Sequence, residues 1–518
     1  MLILNKKLSG GPAAVIEIGS SAVRMRVSQL KHGEIEMLDS LEYPVFFGHE
    51  VFTTGRISFE SLRQLSSILT KFTTALEGYN CKNVRVVSST VMREAENRSF
   101  VIDQLKIHNN LHLEILEYSE EKALICSEII RLLKEESKLE MKDALIAYVG
   151  TGSIGVALYD GKAICTSQNI PIGSLKLHDA LGALSRECDD FYPAVEEYLD
   201  IILNRVDIPK KDIRSIILTG SDLELVASVC GAEKNGDLYT ISAKKMHAAY
   251  KEIRMMSYSA IARRYNISEE LAEILYTALS IYTGMLRLSD SVQKVICPDI
   301  DICDAITRHM LVPGAQKEYI AQTNESAIVS AKRIAAKCNC HGAHSDAISD
   351  FACTLFDKLK NLHGLSSDKK IILQLASILH SCGQYINVRK PNQCSFDLIK
   401  DLDIFGLTRE QILLTAFVAG SDEFTMPSVA DAPPMTEERR LEILKLVAIF
   451  RLANALDKSK RRKLHISKIR ITNEKLEIKA TASGSALLEK WAFEECAGLF
   501  KEVFGLSPEL QIRSELLK

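Results

Sequence analysis

Two stretches decide how this chain folds: AAVIEIGSSAVRMRV (Ala13 to Val27) and ALIAYVGTGSIGVALYDGKAI (Ala144 to Ile164). In each, an apolar run of strand length enters a glycine turn and a second apolar run leaves it, the pattern of a strand pair joined by a tight loop. Gly150 follows Gly19 by 131 positions. A spacing that wide signals duplication of a whole domain rather than a solenoid repeat. The first copy continues with a third strand after a turn at Gly33, the second with the run KAICTSQNI.

Outward from these two turns the pattern extends. SFESLRQLSSILTKFTTALEGY has apolar residues at helical spacing, VRVVSST is a short buried strand, and SEEKALICSEIIRLLKEE is another helix. IRSIILTGSDLELVASV runs strand, Gly220, helix, an order that aims backbone N–H groups at a ligand. From about residue 325 the chain turns helical with wide apolar stripes, interrupted by the Pro-rich ADAPPM (Ala430 to Met435). The last fifty residues read as two or three strands and a helix. The expected architecture is an α/β N-terminal half of two duplicated domains (12–130 and 131–315), an all-α domain (320–462) and a small α+β tail (463–518).

Bulk properties narrow the function. The 518 residues are 47% hydrophobic and 25% charged, ordinary for a globular chain and too long for one core. A net charge of -3 argues against a general nucleic-acid binder, which needs a basic excess. YSAIARRYNISEELAEIL has a superficial helix-turn-helix look, but the acidic balance favours an ordinary helix pair. No apolar run approaches the roughly 18 residues of a membrane span. The start lacks signal-peptide features, so a cytoplasmic protein with no membrane partner is the expectation. The 13 cysteines are scattered with no CxxC pair and read as reduced core residues. CNCHGAH gathers Cys338, Cys340, His341 and His344, yet no second ligand pair is in view, so no zinc is expected there.

The chemistry-bearing residues cluster at the turns. Glu17 precedes Gly19, Ser20 and Ser21, whose N–H groups and hydroxyls suit a phosphate. Its carboxylate suits a divalent cation, and Arg24 adds a planar cation. The plainer reading is a hairpin with an exposed acid. The second turn, Gly150, Thr151, Gly152 and Ser153, offers the same N–H groups but is flanked by Tyr148 and Gly155, so it carries no acid. Two such turns facing a cleft would grip one anion chain. VVSSTVMREAENRSF supplies Arg93, Glu94 and Asn97. Glu120 and Glu121 open a helix, where acids either cap the dipole or activate water.

Taken in order, these segments resemble the exopolyphosphatase / guanosine pentaphosphate phosphatase (Ppx/GppA) family. The resemblance includes PIGSLKL (Pro171 to Leu177) and LKLVAIFRLANALDKSKRR near the end of the helical part. It implies duplicated actin/Hsp70-like (ribonuclease H-like) domains followed by an HD-like helical domain. It implies release of a terminal phosphate from inorganic polyphosphate or guanosine pentaphosphate, with magnesium, or manganese in its place. Glu121 would activate the water, Glu17 would be the metal-associated acid, and Arg93 would contact phosphate. Gly150, Gly152 and Ser153 would form the second cradle. Two copies of the chain would pair through the C-terminal half.

The chain departs from that pattern in several places. Glu17 stands for an Asp, and Tyr148 and Gly155 stand where the second loop has Asp and Glu, so the second loop is equipped to bind and poorly equipped to hold metal. In the helical domain His344 and His380 fit two ligand positions, but Ser381 and Asn454 stand where the other ligands, both Asp, belong. A second metal-dependent site is therefore not expected. DKSKRRK (Asp457 to Lys463) is either a solvated face or a basic lining for a polyanion. The reading that results is a phosphoanhydride hydrolase. Beside it stands a catalytically weak binder that senses polyphosphate or a guanosine tetra- or pentaphosphate, and behind both an ATPase with adenosine at the Gly220 turn.

Overall fold

The computed structural model describes residues 11–135, 142–187, 192–208, 213–289, 291–340, 342–421 and 436–514. ADAPPM and His341 lie outside the described residues. The chain divides into two compact units, Met1–Thr323 and Asn324–Lys518.

The first unit holds two sheets. Strands β1 (Ala13–Ile18), β2 (Ala22–Lys31), β3 (Glu34–Pro44), β4 (Asn83–Ser88) and β5 (Leu113–Ile115) form one in the order β3-β2-β1-β4-β5. β1 pairs antiparallel with β2 and parallel with β4. The second sheet comprises β6 (Ala144–Val149), β7 (Ile154–Tyr159), β8 (Ile164–Ile170), β9 (Ser215–Gly220), β10 (Glu233–Asn235), β11 (Leu238–Ser242) and β12 (Lys294–Pro298). Its order, β10-β11-β12-β9-β6-β7-β8, repeats the first from β8 through β12 and adds the β10–β11 hairpin at the edge. β6 pairs antiparallel with β7 and parallel with β9, as β1 does with β2 and β4.

All six residues of β1 are buried, and β6 is buried at every position but Tyr148, because helices cover both faces of each sheet. That is why both strands read as near-continuous apolar runs, and why one glutamate at the end of β1 stands out. The helix Phe59–Gly78 is capped by the Ser58 hydroxyl and packs Leu65, Leu69 and Phe72 into the first core. The helix Ile302–Leu311 falls within the stretch expected to belong to the second domain, yet it packs on β1, β2 and the helix Tyr118–Glu135 of the first. Asp301 and Asp304 form its capping box.

The second unit packs helices Gly342–Lys358, Lys370–Leu379, Pro391–Ile399, Arg409–Gly420 and Glu437–Ala455 around one core. β13 (Leu464–Ile471), β14 (Lys475–Ala482) and β15 (Ser507–Ser514) form a sheet in that order, with the helix Leu487–Phe504 between β14 and β15 in the chain. The sequence suggests a separate tail here. Instead Ile478, Ala480, Phe493 and Phe500 share the core of Leu375, Leu446 and Ile449.

Candidate active site

The two glycine turns are built alike. Gly19 N–H donates to Ala22 O at 2.9 Å, and Gly150 N–H donates to Ser153 O at 2.9 Å. In the first turn Ser20 O and Ser21 O accept from the N–H groups of Gly48 and Val45. In the second, Gly150 O and Thr151 O accept from those of Ser174 and Lys176. Both turns are thus tied down by their carbonyls. Among the described residues no protein acceptor takes the N–H groups of Ser20 and Ser21, or those of Thr151, Gly152 and Ser153. An anion is the partner such groups suit. The second turn packs closely on the first domain: a Cβ on Gly152 would lie 2.4 Å from Thr90 Cγ2 and 2.7 Å from Phe52 Cζ.

A cleft of about 710 Å³ opens between the two sheets, and its lining includes none of Gly19, Ser20, Ser21, Gly150, Thr151, Gly152 and Ser153. Its walls include Glu17 and Arg24 from the first sheet and Tyr148, Gly220 and Ser221 from the second. Glu17 and Arg24 are cross-strand neighbours, with Nη1 3.6 Å from the carboxylate. Arg24 also donates to Glu42 Oε2 at 3.0 Å. Burial raises the Glu17 carboxyl to about 7; Arg24 opposes this, and the charges of Asp301 and Glu121 add to it. Glu17 is therefore a buried acid inside a cleft, and the reading as an exposed hairpin acid does not hold.

Tyr148 occupies in β6 the place that Glu17 has in β1, two residues before the glycine. Its phenol bonds to Ser221, and burial together with the charges of Glu121 and Glu17 holds it well above its ordinary value, so it stays a neutral donor. At Gly155 an added Cβ would meet the stem of buried Lys122 at 3.3 Å, so the space for an acid there is taken by a cation's side chain. Gly220 is required as glycine: its φ is +153°, and a Cβ would lie 2.0 Å from Val149 O.

Glu121 lies beneath the cleft wall rather than on it. It is 7% exposed and pairs with Arg93 Nη2 at 2.8 Å. Arg93 is expected to contact phosphate, but its guanidinium is committed to Glu121, to Leu116 O, to Thr90 Oγ1 at 2.8 Å and to the face of Tyr118. In this arrangement it holds Glu121 in place, because a buried carboxylate needs an ionic partner. Glu120 caps the N–H of Glu117, the structural reading of that acid. Glu94 receives Lys176 Nζ at 2.7 and 2.6 Å and so ties the two domains together. Asn97 braces Ile57 through both of its amide atoms.

Three acids and an arginine escaped the sequence reading. Arg26 forks onto Asp301 at 2.8 and 3.1 Å and reaches Asp304. Burial raises Asp222, and Ser174 donates to it at 2.5 Å. The D-x-x-D spacing at 301–304 was a legible helix start, and Asp222 follows the Gly220 turn, but nothing in the sequence ties either to Glu17.

In the second unit, His344 and His380 do meet, with ring centroids 5.4 Å apart. His380 Nδ1 bonds to Ser377 O at 2.9 Å and Nε2 to the Ser381 hydroxyl at 2.9 Å, and burial lowers its pKa to about 4. The aspartate that reaches this cluster is Asp457, whose Oδ2 is 2.8 Å from His344 Nδ1. The sequence points to Asn454 for that place, but Asp457 lies just past the end of the helix Glu437–Ala455, and only the packing selects between them. Asp457 also accepts the N–H of Arg462 at 2.6 Å, so the basic run curls around a buried acid with Lys458, Lys460 and Arg461 in solvent.

Residues 26–298 match the sequence model of the Ppx/GppA phosphatase family, and residues 328–495 match Ppx/GppA phosphatase, domain III. The chain belongs to the Ppx/GppA phosphatase family. It is 19% identical over 444 residues to the guanosine-5'-triphosphate,3'-diphosphate pyrophosphatase of Photobacterium profundum, an alignment covering 84% of this chain and 85% of that one. The protein of the same name from Aliivibrio fischeri is 18% identical over 452 residues, covering 84% and 86%. The crystal structure of an exopolyphosphatase from Cytophaga hutchinsonii superimposes with a TM-score of 0.51 at 17% identity, covering 58% of this chain and 97% of that one. The fold of this Ppx/GppA member's two α/β domains is thus the actin-like one. Among the described residues no helix is long and apolar enough to cross a membrane.

Proposed function

We propose that this family member releases the terminal phosphate of a short, nucleoside-bearing substrate of the guanosine pentaphosphate kind in preference to long inorganic polyphosphate. The observation that carries this reading is the charge of the cleft. Eight carboxyl side chains line it against three arginines. A long polyanion is repelled by such a wall, because like charges brought together in a partly buried space are costly. A guanine base is not: its N–H donors suit the acids Glu224, Asp237 and Asp299 of the lining, and Ile35 and Met37 offer it apolar contact. The pyrophosphatase relatives act on a substrate of this class, as their name states.

In this reading the turns at Gly19 and Gly150 hold the phosphates by backbone N–H groups. Water attacks the terminal phosphorus in line, the new P–O bond forms as the bridging P–O bond breaks, and Glu121 takes the water's proton. Arg93 holds Glu121 in position, and Tyr148 donates to a phosphate oxygen or to the water. The attacking water must reach Glu121 from the cleft past Tyr148.

Magnesium fits Glu17. Its carboxyl is raised in part by neighbouring acids, a repulsion that a cation relieves. Magnesium keeps several waters and takes phosphate oxygens as ligands, so one protein carboxylate can serve it. When bound it would neutralise charge on the phosphate.

Phosphate release from guanosine pentaphosphate, long-chain polyphosphate and ATP, each with magnesium and with manganese, tests the proposal. The expected result is fastest turnover of guanosine pentaphosphate, abolished in Glu121→Gln. Faster turnover of polyphosphate or of ATP overturns the substrate reading, and binding with no release from any of them overturns the hydrolase.

A further inference from the structure

Apart from the cleft, the second unit brings together three thiols from two corners of its fold. Cys338 and Cys340 sit where the helix Ala315–Lys337 ends. That turn is closed by the N–H groups of Cys338 and Cys340 donating to Ala335 O and by Asn339 at a φ of 54°. Cys382 follows the helix Lys370–Leu379, its N–H donating to Leu379 O at 2.9 Å. The sulfurs of Cys340 and Cys382 are 3.5 Å apart, and Cys338 also hydrogen-bonds to Cys382. Cys382 is fully buried and Cys340 half-buried, so Cys340 is the more accessible residue of the pair.

We propose that Cys340 and Cys382 form a reversible disulfide when the protein meets a peroxide, with Cys338 as the alternative partner of Cys382. The step balances. The Cys340 thiolate attacks one peroxide oxygen, the O–O bond breaks, and Cys340 becomes a sulfenic acid as hydroxide leaves. The Cys382 sulfur then attacks the Cys340 sulfur, the S–OH bond breaks, and the two hydroxides, taking the protons that the two thiols give up, leave as water. Two thiols are oxidised by two electrons, and one peroxide is reduced to two waters.

The geometry favours bond formation over chance packing. The gap closes to a bond of about 2.05 Å by a movement of about 1.5 Å, within what side-chain rotation supplies. Both corners are fixed by backbone hydrogen bonds, which keeps the sulfurs within reach. The hydrogen bond from Cys382 and the charge of Lys460 lower the Cys340 thiol below its ordinary value, against partial burial. The bond would staple the end of the helix Ala315–Lys337 to the segment that carries His380 and Ser381.

Peptide mapping of the folded, full-length protein under non-reducing conditions, before and after hydrogen peroxide, tests this. The expected product is a link between the peptides carrying Cys340 and Cys382, assigned by fragmentation because Cys338 and Cys353 share the first peptide. The link forms in Cys338→Ser, moves to Cys338–Cys382 in Cys340→Ser, and is reversed by a dithiol reductant with free thiols regained. The proposal is overturned if Cys382 stays unlinked in the oxidised wild type, or if links to Cys353, Cys394 and Cys496 form just as fast. It is also overturned if the purified protein carries one equivalent of zinc that is lost in Cys382→Ser.

Discussion

The turns at Gly19 and Gly150 occupy the same place in two sheets of the same strand order, and they differ in what precedes them. Before Gly19 stands a buried glutamate with an arginine across the strand pair; before Gly150 stands a phenol bonded to Ser221. The backbone apparatus is duplicated: each turn closes on its own glycine N–H and leaves later N–H groups without protein acceptors. The charge is not duplicated. At Gly155, where a second-turn acid would project, the stem of Lys122 fills the space. The difference teaches that anion binding and cation holding are separable properties of one loop design. Backbone supplies the first at both turns, and a side chain supplies the second at only one.

The largest expected effect lies in the chemistry the two turns serve. Glu121→Gln is nearly isosteric and keeps hydrogen-bonding capacity toward Arg93. It should cut the single-turnover rate by about 100- to 10,000-fold, the scale of a lost general base, while the melting temperature shifts little. Retention of more than a tenth of the activity would remove Glu121 from the mechanism and leave the turns as binding elements.

Next comes the packing of the chain against the second turn. A Cβ at Gly173 would lie 2.1 Å from Gly150 O, whereas at Gly19 the nearest atom is Ala22 O at 2.9 Å. Gly173→Ala should therefore destabilise by about 3 kcal/mol and Gly19→Ala by about 1 kcal/mol, read by denaturant unfolding. Equal losses would mean that the contact of Gly173 with Gly150 O yields as easily as that of Gly19 with Ala22 O.

Putting the acid back sharpens the comparison. Tyr148→Asp places a third carboxylate beside Glu17 and Glu121, at a cost of about 2 kcal/mol without metal. Magnesium should restore that loss, raising the variant's melting temperature more than the wild type's. If magnesium stabilises both alike, the second turn does not face the cation.

The last effect is a slope, the smallest of these when read per pH unit. The folded-state pKa of Glu17 is about 7 against an ordinary 4.5. Between those values the folded protein holds the proton that the unfolded chain has released, so stability falls as pH rises from 4.5 to 7. The cost is absent below that window and full above it, at most about 1.4 kcal/mol per pH unit. Glu17→Gln should flatten the slope in urea midpoints measured across that range. Asp304, also raised by burial, keeps part of it. Magnesium favours the ionised carboxylate, so its affinity should rise with pH through the same window.

Much of the fold was legible because its determinants are local. Strands buried on both faces must be apolar throughout, so AAVIEI and ALIAYV announced themselves, and the spacing of their glycines announced the duplication. The candidate site was legible where one residue broke a local rule: Glu17 is a charge inside a buried strand. Arg93 was legible as a site residue, but its partners were not, since Leu116, Tyr118 and Glu121 come from other segments. Asp301 and Asp304 read as a helix cap and are one, yet they also take Arg26 from a strand 275 residues away.

The sequence by itself determined the two-turn plan, the missing acids of the second turn and the family. These depend on residue type and spacing along the chain, which is where strand period and turn chemistry are written. Only the tertiary structure decided that Glu17 is buried beside Glu121, that Arg93 faces a carboxylate rather than the open cleft, that Asp457 and not Asn454 meets His344, and that three distant thiols share one corner. Each of these is a matter of which side chains are left facing one another once the cores are packed, and burial and charge at such contacts have no counterpart in local sequence.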